Sequence, residues 1–544
     1  MQNLNFKKMK ITLSSFKTMA IYCFIFAFWK FETKAQNTTD PAFLEAVNNG
    51  LLVNEGFNRS IKYVNAWTQK ADSATGLIPR NLKDSYWNAW DAAADNYPYM
   101  VLTASMLMPE YFNTTALEML KTEQKLTSRI GKLPDTYSFV KKGFLNEIPD
   151  SSQIVFGAAE YMKDGLIPLT EWLGKSPWSD RMLEMLDDVP RITRLVKEVK
   201  DSKFGKSAVV EVNGDLLQVL TRMYWFTGKK EYLDWAVEIG DHYLNTERLP
   251  TNMDRLRIRD HGCEIISGLC ETYLATHYAM PNKKKQWQPY IHQMLDRILE
   301  VGRNEDGLFY DEINPLTGEI LSKRLADNFG YTFNAYYFVN QIDSKPEYLN
   351  AIKKALNSLN KKYRNHDWEG NADGYADAVE GTLNLYNREP IPSVKDWLDS
   401  EIKVLWDFQK SDGIIEGWHG DGNFARTTLM YCLWKTQGIV PINWKDDLQI
   451  GAVNDNGKLK IAISCKTGWE GKLRFDSPRY KDFMQFPVDY PRINQFQQWY
   501  TLDIAKNYSV KIGNEKSKIN SGKILSGGLE VKVKPNETLY LTIN

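Results

Sequence analysis

Cysteine is scarce, with five in 544 residues. Cys23 lies in an apolar run near the N-terminus, which leaves Cys263, Cys270, Cys432 and Cys465. Cys263 and Cys270 are seven apart, about 10 Å along a helix, beyond the reach of a disulfide. No CxxC pair and no histidine-rich spacing occurs, so nothing points to a zinc site, and the thiols read as small buried hydrophobes. No metal or cofactor is expected. A Gly-rich phosphate loop followed by Lys is missing, as is a Gly-x-Ser-x-Gly elbow, which leaves nucleotide chemistry and serine hydrolysis without support.

An excess charge of one sign is missing too: 68 Lys and Arg balance 68 Asp and Glu. Long apolar runs are confined to MAIYCFIFAFW (19–29), too short for a comfortable membrane span. It follows Lys7, Lys8, Lys10 and Lys17 and precedes Thr33-Lys34-Ala35, the pattern of a signal peptide over 1–35. The expectation is an exported protein, periplasmic or secreted, with no membrane anchor. Cleavage there removes six lysines and Glu32 and leaves a net charge of −5, a balance that argues against nucleic acid as a partner.

Aromatics are plentiful at 13%, including 17 Trp and 28 Tyr. Flat π faces stack on sugar rings, and they fill large cores equally well. The apolar period is helical from about 40 to 445 and becomes two from about 447. KLKIAIS (458–464), LEVKVKP (529–535) and TLYLTIN (538–544) alternate as half-buried strands, which predicts a C-terminal β-sandwich over 447–544. The helical region carries a repeated mark: ATGLIP (74–79), KDGLIP (163–168), EDGLFY (305–310) and SDGIIE (411–416). Each reads as a turn closed by a left-handed glycine.

Six segments look buried on all sides: 89–106, 211–226, 259–274, 328–339, 373–388 and 422–434. Amphipathic, charged helices such as 229–245 and 346–363 lie between them. That alternation predicts an (α/α)6-type toroid over 36–446, inner helices ringed by outer ones. The N-terminal heads of parallel inner helices then converge on one rim, where exposed N–H groups and the helix dipole favour anions.

Those heads are dense in polar residues. They hold Trp87, Trp90, Asp91 and Asp95; Glu211; Arg257, Arg259, Asp260, His261 and Glu264; Asp327, Asn328 and Tyr331; Asp373, Tyr375, Asp377 and Glu380; and His419, Asp421 and Arg426. Asp91 and Asp95 are four apart, Asp260 and Glu264 four, Asp377 and Glu380 three, each pair on one helix face. Glycoside hydrolysis uses two carboxyl groups whose pKa values are pushed apart in a sheltered cleft. Arg257, Arg259 and Arg426 can hold a sugar carboxylate, Arg doing so bidentately. Plainer roles compete: Asp91, Asp373 and Asp421 as helix caps, Asp260 and Glu264 as salt-bridge partners of Arg257 and Arg259, Trp87 and Trp90 as packing.

The stretches WNAWDAAADNYPYMVLTASM (87–106), RDHGCEIISGLCETY (259–273), YADAVEGTLNLYNREP (375–390) and HGDGNFARTTLMYCLWKTQG (419–438) resemble glycoside hydrolase family 154. The resemblance implies an exo-acting β-glucuronidase on an α/α toroid, acting on uronate-containing oligosaccharides. The site residues come from the reading of the heads. Glu264 is expected as general acid, Asp260, Asp377 or Glu380 as its partner, and His261 as a residue orienting a carboxylate. Trp87, Trp90, Asp91, Glu211, Arg257, Arg259, Tyr331, Tyr375, His419 and Arg426 are expected to hold the substrate. An unsaturated glucuronyl hydrolase, a polysaccharide lyase using Tyr331, Tyr375, His261 or His419 as base, and a glycan-binding protein without catalysis stay open as alternatives.

Overall fold

A computed structural model describes residues 38–188, 205–259 and 261–544, without the side chains of 205–209 and of His261. The expected signal peptide, Asp260 and the His261 side chain lie outside the described residues. Helices that begin on proline make most of an outer layer: Pro41–Thr68, Pro177–Asp188, Pro281–Val301, Pro346–Lys362 and Pro392–Asp407. Proline suits a first turn, where its missing N–H has no helical partner anyway. Lys230–Tyr243 and a helix over 109–127 complete that layer among the described residues. Pro346–Lys362 buries Tyr348, Ala351, Ile352, Ala355, Leu356 and Leu359, one stripe at helical spacing.

The inner helices are buried all round, and in Asn423–Lys435 every residue is. Two of them meet backbone to backbone: a Cβ added to Gly330 would lie 2.5 Å from the Cα of Gly381. The count departs from the sequence reading. Instead of six, the described residues hold seven inner helices: 89–107, 151–173, Gly205–Thr227, His261–Ala279, Phe329–Asp343, Ala372–Tyr386 and Asn423–Lys435. Each packs on the next and the last on the first, closing a ring.

The helix absent from the sequence reading is 151–173, and KDGLIP is the cause. Gly76, Gly307 and Gly413 do adopt the left-handed turn, with φ of 72°, 97° and 97°. Gly165 does not. It continues a helix through a π-helical turn, Tyr161–Leu166. A Cβ at Gly165 would come 2.8 Å from Pro98 Cγ and 2.9 Å from the Ala93 carbonyl, so close packing of the first two inner helices requires the glycine.

Two antiparallel sheets follow. One has the order Leu448–Asp455, Lys458–Cys465, Thr538–Ile543, Asn507–Ile512, Lys518–Ser521. The other has Leu529–Val533, Trp469–Arg474, Val440–Ile442, and Val440–Ile442, the earliest in the chain, precedes residue 447. Leu459, Ile461, Ile463, Leu541 and Ile543 are fully buried, as the alternation predicts, and share one continuous core with the helices. The larger sheet sits on Pro41–Thr68, where Asn49 Nδ2 donates to the Ala452 carbonyl at 3.0 Å.

Between Trp469–Arg474 and Asn507–Ile512 the chain leaves the sheets and enters the bore of the toroid. Arg492 forms an ion pair with Glu171 at 2.7 Å, and Arg222 donates to the Ile493 carbonyl at 3.2 Å. Asn384 donates to the Arg492 carbonyl at 3.1 Å, and the Tyr490 hydroxyl donates to Glu271 at 2.5 Å. These partners lie along the inner helices away from their polar heads, so this segment closes the bore from that end.

Candidate active site

All seven inner helices contribute to one cavity of about 450 Å3, floored by Ile493 and Asn494. Its size falls in the usual range of small-ligand sites. Two of the contributing helices carry π-helical turns at the cavity, Ala89–Asn96 and Tyr161–Leu166. Such turns widen the helix and recur at functional sites.

The first wall comes from Ala89–Asn96 and the loop before Asn423. Asn88 caps the helix by accepting the Ala92 N–H at 2.9 Å, which leaves Asp91 for other work. Asp91 takes Arg80 Nε and Asn88 Nδ2, each at 2.5 Å. His419 Nε2 stands 3.8 Å from Asp91 and 3.7 Å from Asp95. Its Nδ1 is 3.1 Å from the Gly420 carbonyl. Burial works against the charged ring, but Asp95, Asp91 and Asp421 together push His419 up to about 9. Asp95 is held well above the carboxylate range by burial and by the charges of Asp164, Asp91 and Asp373, against the pull of His419. Asp91, Asp95 and His419 bring one ligand atom each to within 4.8 Å of one another, close enough to share a cation. A protonated His419 already supplies positive charge there.

Of the second wall only Glu264 and Glu211 were expected from sequence. Lys163 Nζ bonds Glu264 Oε1 at 2.5 Å and Asp164 Oδ1 at 2.8 Å. Gln218 Nε2 donates to the other Glu264 oxygen at 2.5 Å, so both oxygens of Glu264 are engaged. Burial raises Glu264 above its ordinary value while Lys163 pulls it back. Asp164 goes the other way: burial pushes it up, but Lys163, a hydrogen bond with Glu160 and the charge of Arg426 together hold it below the usual carboxylate value. Glu160 is kept well above its ordinary value by burial and by Asp215, Glu211 and Asp164. Two carboxyls pushed in opposite directions therefore sit one turn apart, the kind of split that acid–base chemistry uses.

The third wall is a closed ionic group. Arg426 pairs with Asp377 at 2.6 Å and with Glu380 at 2.7 Å. The Tyr331 hydroxyl lies 2.9 Å from Asp377 and 2.8 Å from Glu380. Asn371 caps Ala372–Tyr386 through the Gly374 N–H at 2.9 Å, which frees Asp373 to accept from Asn423 at 2.7 Å.

The expected residues divide accordingly. Trp90, Asp91, Glu211, Arg257, Glu264, Tyr331, Asp377, His419 and Arg426 reach the cavity. Four others do not. Glu380 is fully buried behind Arg426, with its second oxygen accepting the Asn494 N–H at 2.7 Å. Trp87 is packed in the core. Tyr375 is buried with its ring 5.7 Å from that of Phe408. Arg259 pairs with Asp327 at 3.3 Å and with Glu369, inside the wall. Of the three arginines expected to clamp a carboxylate, Arg257 is the most exposed, at 36% against 12% for Arg259 and 4% for Arg426. Glu160, Lys163, Asp164, Asn494 and the exposed Trp418 also line the cavity, and the sequence reading assigned none of them.

No family model matches the chain. No curated protein is significantly similar to it either, so family 154 stands as a resemblance of motifs. Solved structures do resemble it at low identity. The GH76A α-1,6-mannanase from Salegentibacter sp. HEL1_6 is 15% identical over 57% of this chain and 96% of its own, with a TM-score of 0.41. The unsaturated glucuronyl hydrolase from Bacillus sp. GL1 is 12% identical over 53% of this chain and 88% of its own, at 0.36. Cellobiose 2-epimerase from Bacillus thermoamylovorans B4167 is 13% identical over 70% of this chain and 99% of its own, at 0.40. Similarity of this extent names neither a reaction nor a substrate for this chain.

Proposed function

We propose that the protein is an exo-acting glycoside hydrolase that releases a terminal sugar in this cavity. One observation carries the reading: Asp95, Glu160 and Asp164 line the same pocket, and burial pushes the first two well above their ordinary values while Lys163, 2.8 Å from Asp164, helps hold that carboxyl below its own. We assign Asp95 as general acid, since among the described residues its carboxyl has only the 3.7 Å contact with His419 and 19% of its side chain is open to solvent. Asp164 serves as the ionised partner, base or nucleophile. Glu264 passes from acid to scaffold, because a carboxyl held at both oxygens beside Lys163 is poorly placed to give up a proton. The closed floor supports exo action, since a chain end enters a blind pocket and an internal segment cannot thread through it.

The finer reading is a uronic acid at that end, and Arg257 favours it as the most exposed guanidinium of the expected three, although it also faces Asp311 at 3.6 Å. Elimination is disfavoured by the three candidate bases whose side chains are described, His261 not being among them. The Tyr331 hydroxyl is engaged by two carboxyls and pushed up by burial, Tyr375 is away from the cavity, and His419 at about 9 holds its proton at neutral pH.

The test is a panel of oligosaccharides capped by neutral, amino or uronic sugars. Free monosaccharide should appear without the ultraviolet absorbance of an unsaturated product. Asp95→Asn and Asp164→Asn should each lower kcat by about 10²-fold or more. Binding without any product would favour the non-catalytic alternative, and full turnover by both variants would end the assignment. A uronate-capped substrate turned over no faster than its neutral counterpart would remove the uronate reading alone.

A further inference from the structure

The floor of the cavity comes from the C-terminal part of the chain. Asn494 lies 330 residues from Asp164 in sequence, yet its Nδ2 donates to Asp164 Oδ1 at 2.7 Å. Its Oδ1 accepts Arg426 Nη1 at 2.9 Å, and its backbone N–H donates to Glu380 Oε1 at 2.7 Å. One orientation of the amide satisfies both side-chain contacts, because a carboxylate only accepts and a guanidinium only donates. The backbone at Asn494 has φ of 61°, a left-handed conformation that Asn tolerates better than most residues.

The flanks are fixed independently of that side chain. Arg492 is paired with Glu171, the Ile493 carbonyl accepts from Arg222, and Gln497 Nε2 donates to Asn384 at 2.9 Å. The segment is therefore seated whatever residue stands at 494. What Asn494 adds is a bridge between the helix carrying Asp164 and the helices carrying Asp377, Glu380 and Arg426.

We infer that Asn494 is a positioning residue of the active site, supplied by the segment that links the two C-terminal sheets, and that it fixes the orientation of Asp164. The inference rests on the role of Asp164 proposed above. Asp164 Oδ1 is held from one side by Lys163 and from the other by Asn494. A reacting carboxylate needs that kind of support, because a small misplacement of the reacting atoms costs much of the rate.

Two variants of the full-length chain separate the possibilities. Asn494→Asp keeps the shape and the acceptor for Arg426 but sets a second carboxylate against Asp164. Asn494→Gly removes the side chain while suiting the left-handed backbone. On the best substrate of the panel, Asn494→Asp should move the acid limb of kcat/KM upward by about one pH unit. Asn494→Gly should lose about 10-fold or more in kcat with KM little changed and the unfolding midpoint close to the parent. Unaltered kcat and pH limb in both variants, while Asp164→Asn abolishes turnover, would overturn the inference and leave the hydrolase reading intact. Turnover surviving Asp164→Asn would sink the reading itself. A crystal structure of Asn494→Gly in which Asp164 keeps its rotamer and its contact with Lys163 would overturn the positioning role without any substrate.

Discussion

Removing the Lys163 ammonium tests the second wall without knowledge of the substrate. Lys163, Asp164 and Glu264 are 6%, 14% and 7% exposed at their side chains, and the two ion pairs measure 2.8 and 2.5 Å. Breaking a buried pair by deleting one partner typically costs about 3–5 kcal/mol, because a charge is left unpaired. Glu264 would retain Gln218 and Asp164 would retain Asn494, which places Lys163→Met near the lower end, about 3 kcal/mol at pH 8. The loss has a pH signature. Without the ammonium both carboxyls are raised above their unfolded values, so the native state takes up protons that the unfolded state releases. Stability of the variant is then retained at low pH and lost as pH rises towards the folded values, at about 1.4 kcal/mol per unit per carboxyl. Urea midpoints followed by tryptophan fluorescence should show about 1 kcal/mol of destabilisation at pH 5 against about 3 at pH 8. The double variant Lys163→Met/Glu264→Gln should recover about 1 kcal/mol at pH 8 as the coupling between the two residues. Equal destabilisation at both pH values, or parental stability at pH 8, would refute the claim that buried charge holds this wall.

Other outcomes follow from packing and titration. Gly330→Ala should destabilise by about 1–3 kcal/mol or more, since its Cβ would meet the Gly381 backbone at 2.5 Å, whereas Gly417→Ala, with open space around it, should be neutral by thermal unfolding. Asp343 is held at about 2 against burial by His292, Lys284 and the Tyr273 hydroxyl. A depressed carboxyl stabilises above its unfolded value of 3.8 and stops doing so as pH falls towards 2, so Asp343→Asn should remove about 2 kcal/mol at pH 6 and much less at pH 2 in acid titrations. If the charged ring of His419 steadies Asp95, kcat/KM should decline as pH passes through about 9, and His419→Gln should erase or move that limb.

The helical ring and the strands were legible because burial imposes a period. Leu459, Ile461 and Ile463 alternate since one face of a strand meets the core, and Tyr348, Ile352, Ala355 and Leu359 recur at helical spacing since one stripe of an outer helix does. The polar heads were legible for a related reason: an inner helix has no other water to face. Period says nothing about glycine's motive. KDGLIP and EDGLFY look alike as text, but Gly307 is there for its positive φ and Gly165 for the space that Pro98 and Ala93 leave. A single mistaken turn hid a whole inner helix, and with it Glu160, Lys163 and Asp164.

The unread part of the site shares a second property, which is distance along the chain. Lys163 and Glu264 are 101 residues apart, and Arg222 is 271 residues from the Ile493 carbonyl it holds. A single sequence shows which residues can ionise but not which of them a fold sets face to face, and that pairing decides their chemistry. Glu264 illustrates the point. As a helix-head acid it is a natural proton donor, yet Lys163 and Gln218 commit both of its oxygens. Asp95, on a head of the same kind, has only the looser contact of His419 at 3.7 Å, and burial pushes it well above its ordinary value while Asp164 is held below its own. On the proposed reading, catalytic roles follow from which carboxyls the neighbouring helices leave uncommitted, and the count of acids at the heads carries far less of the argument than the cations that neutralise some of them.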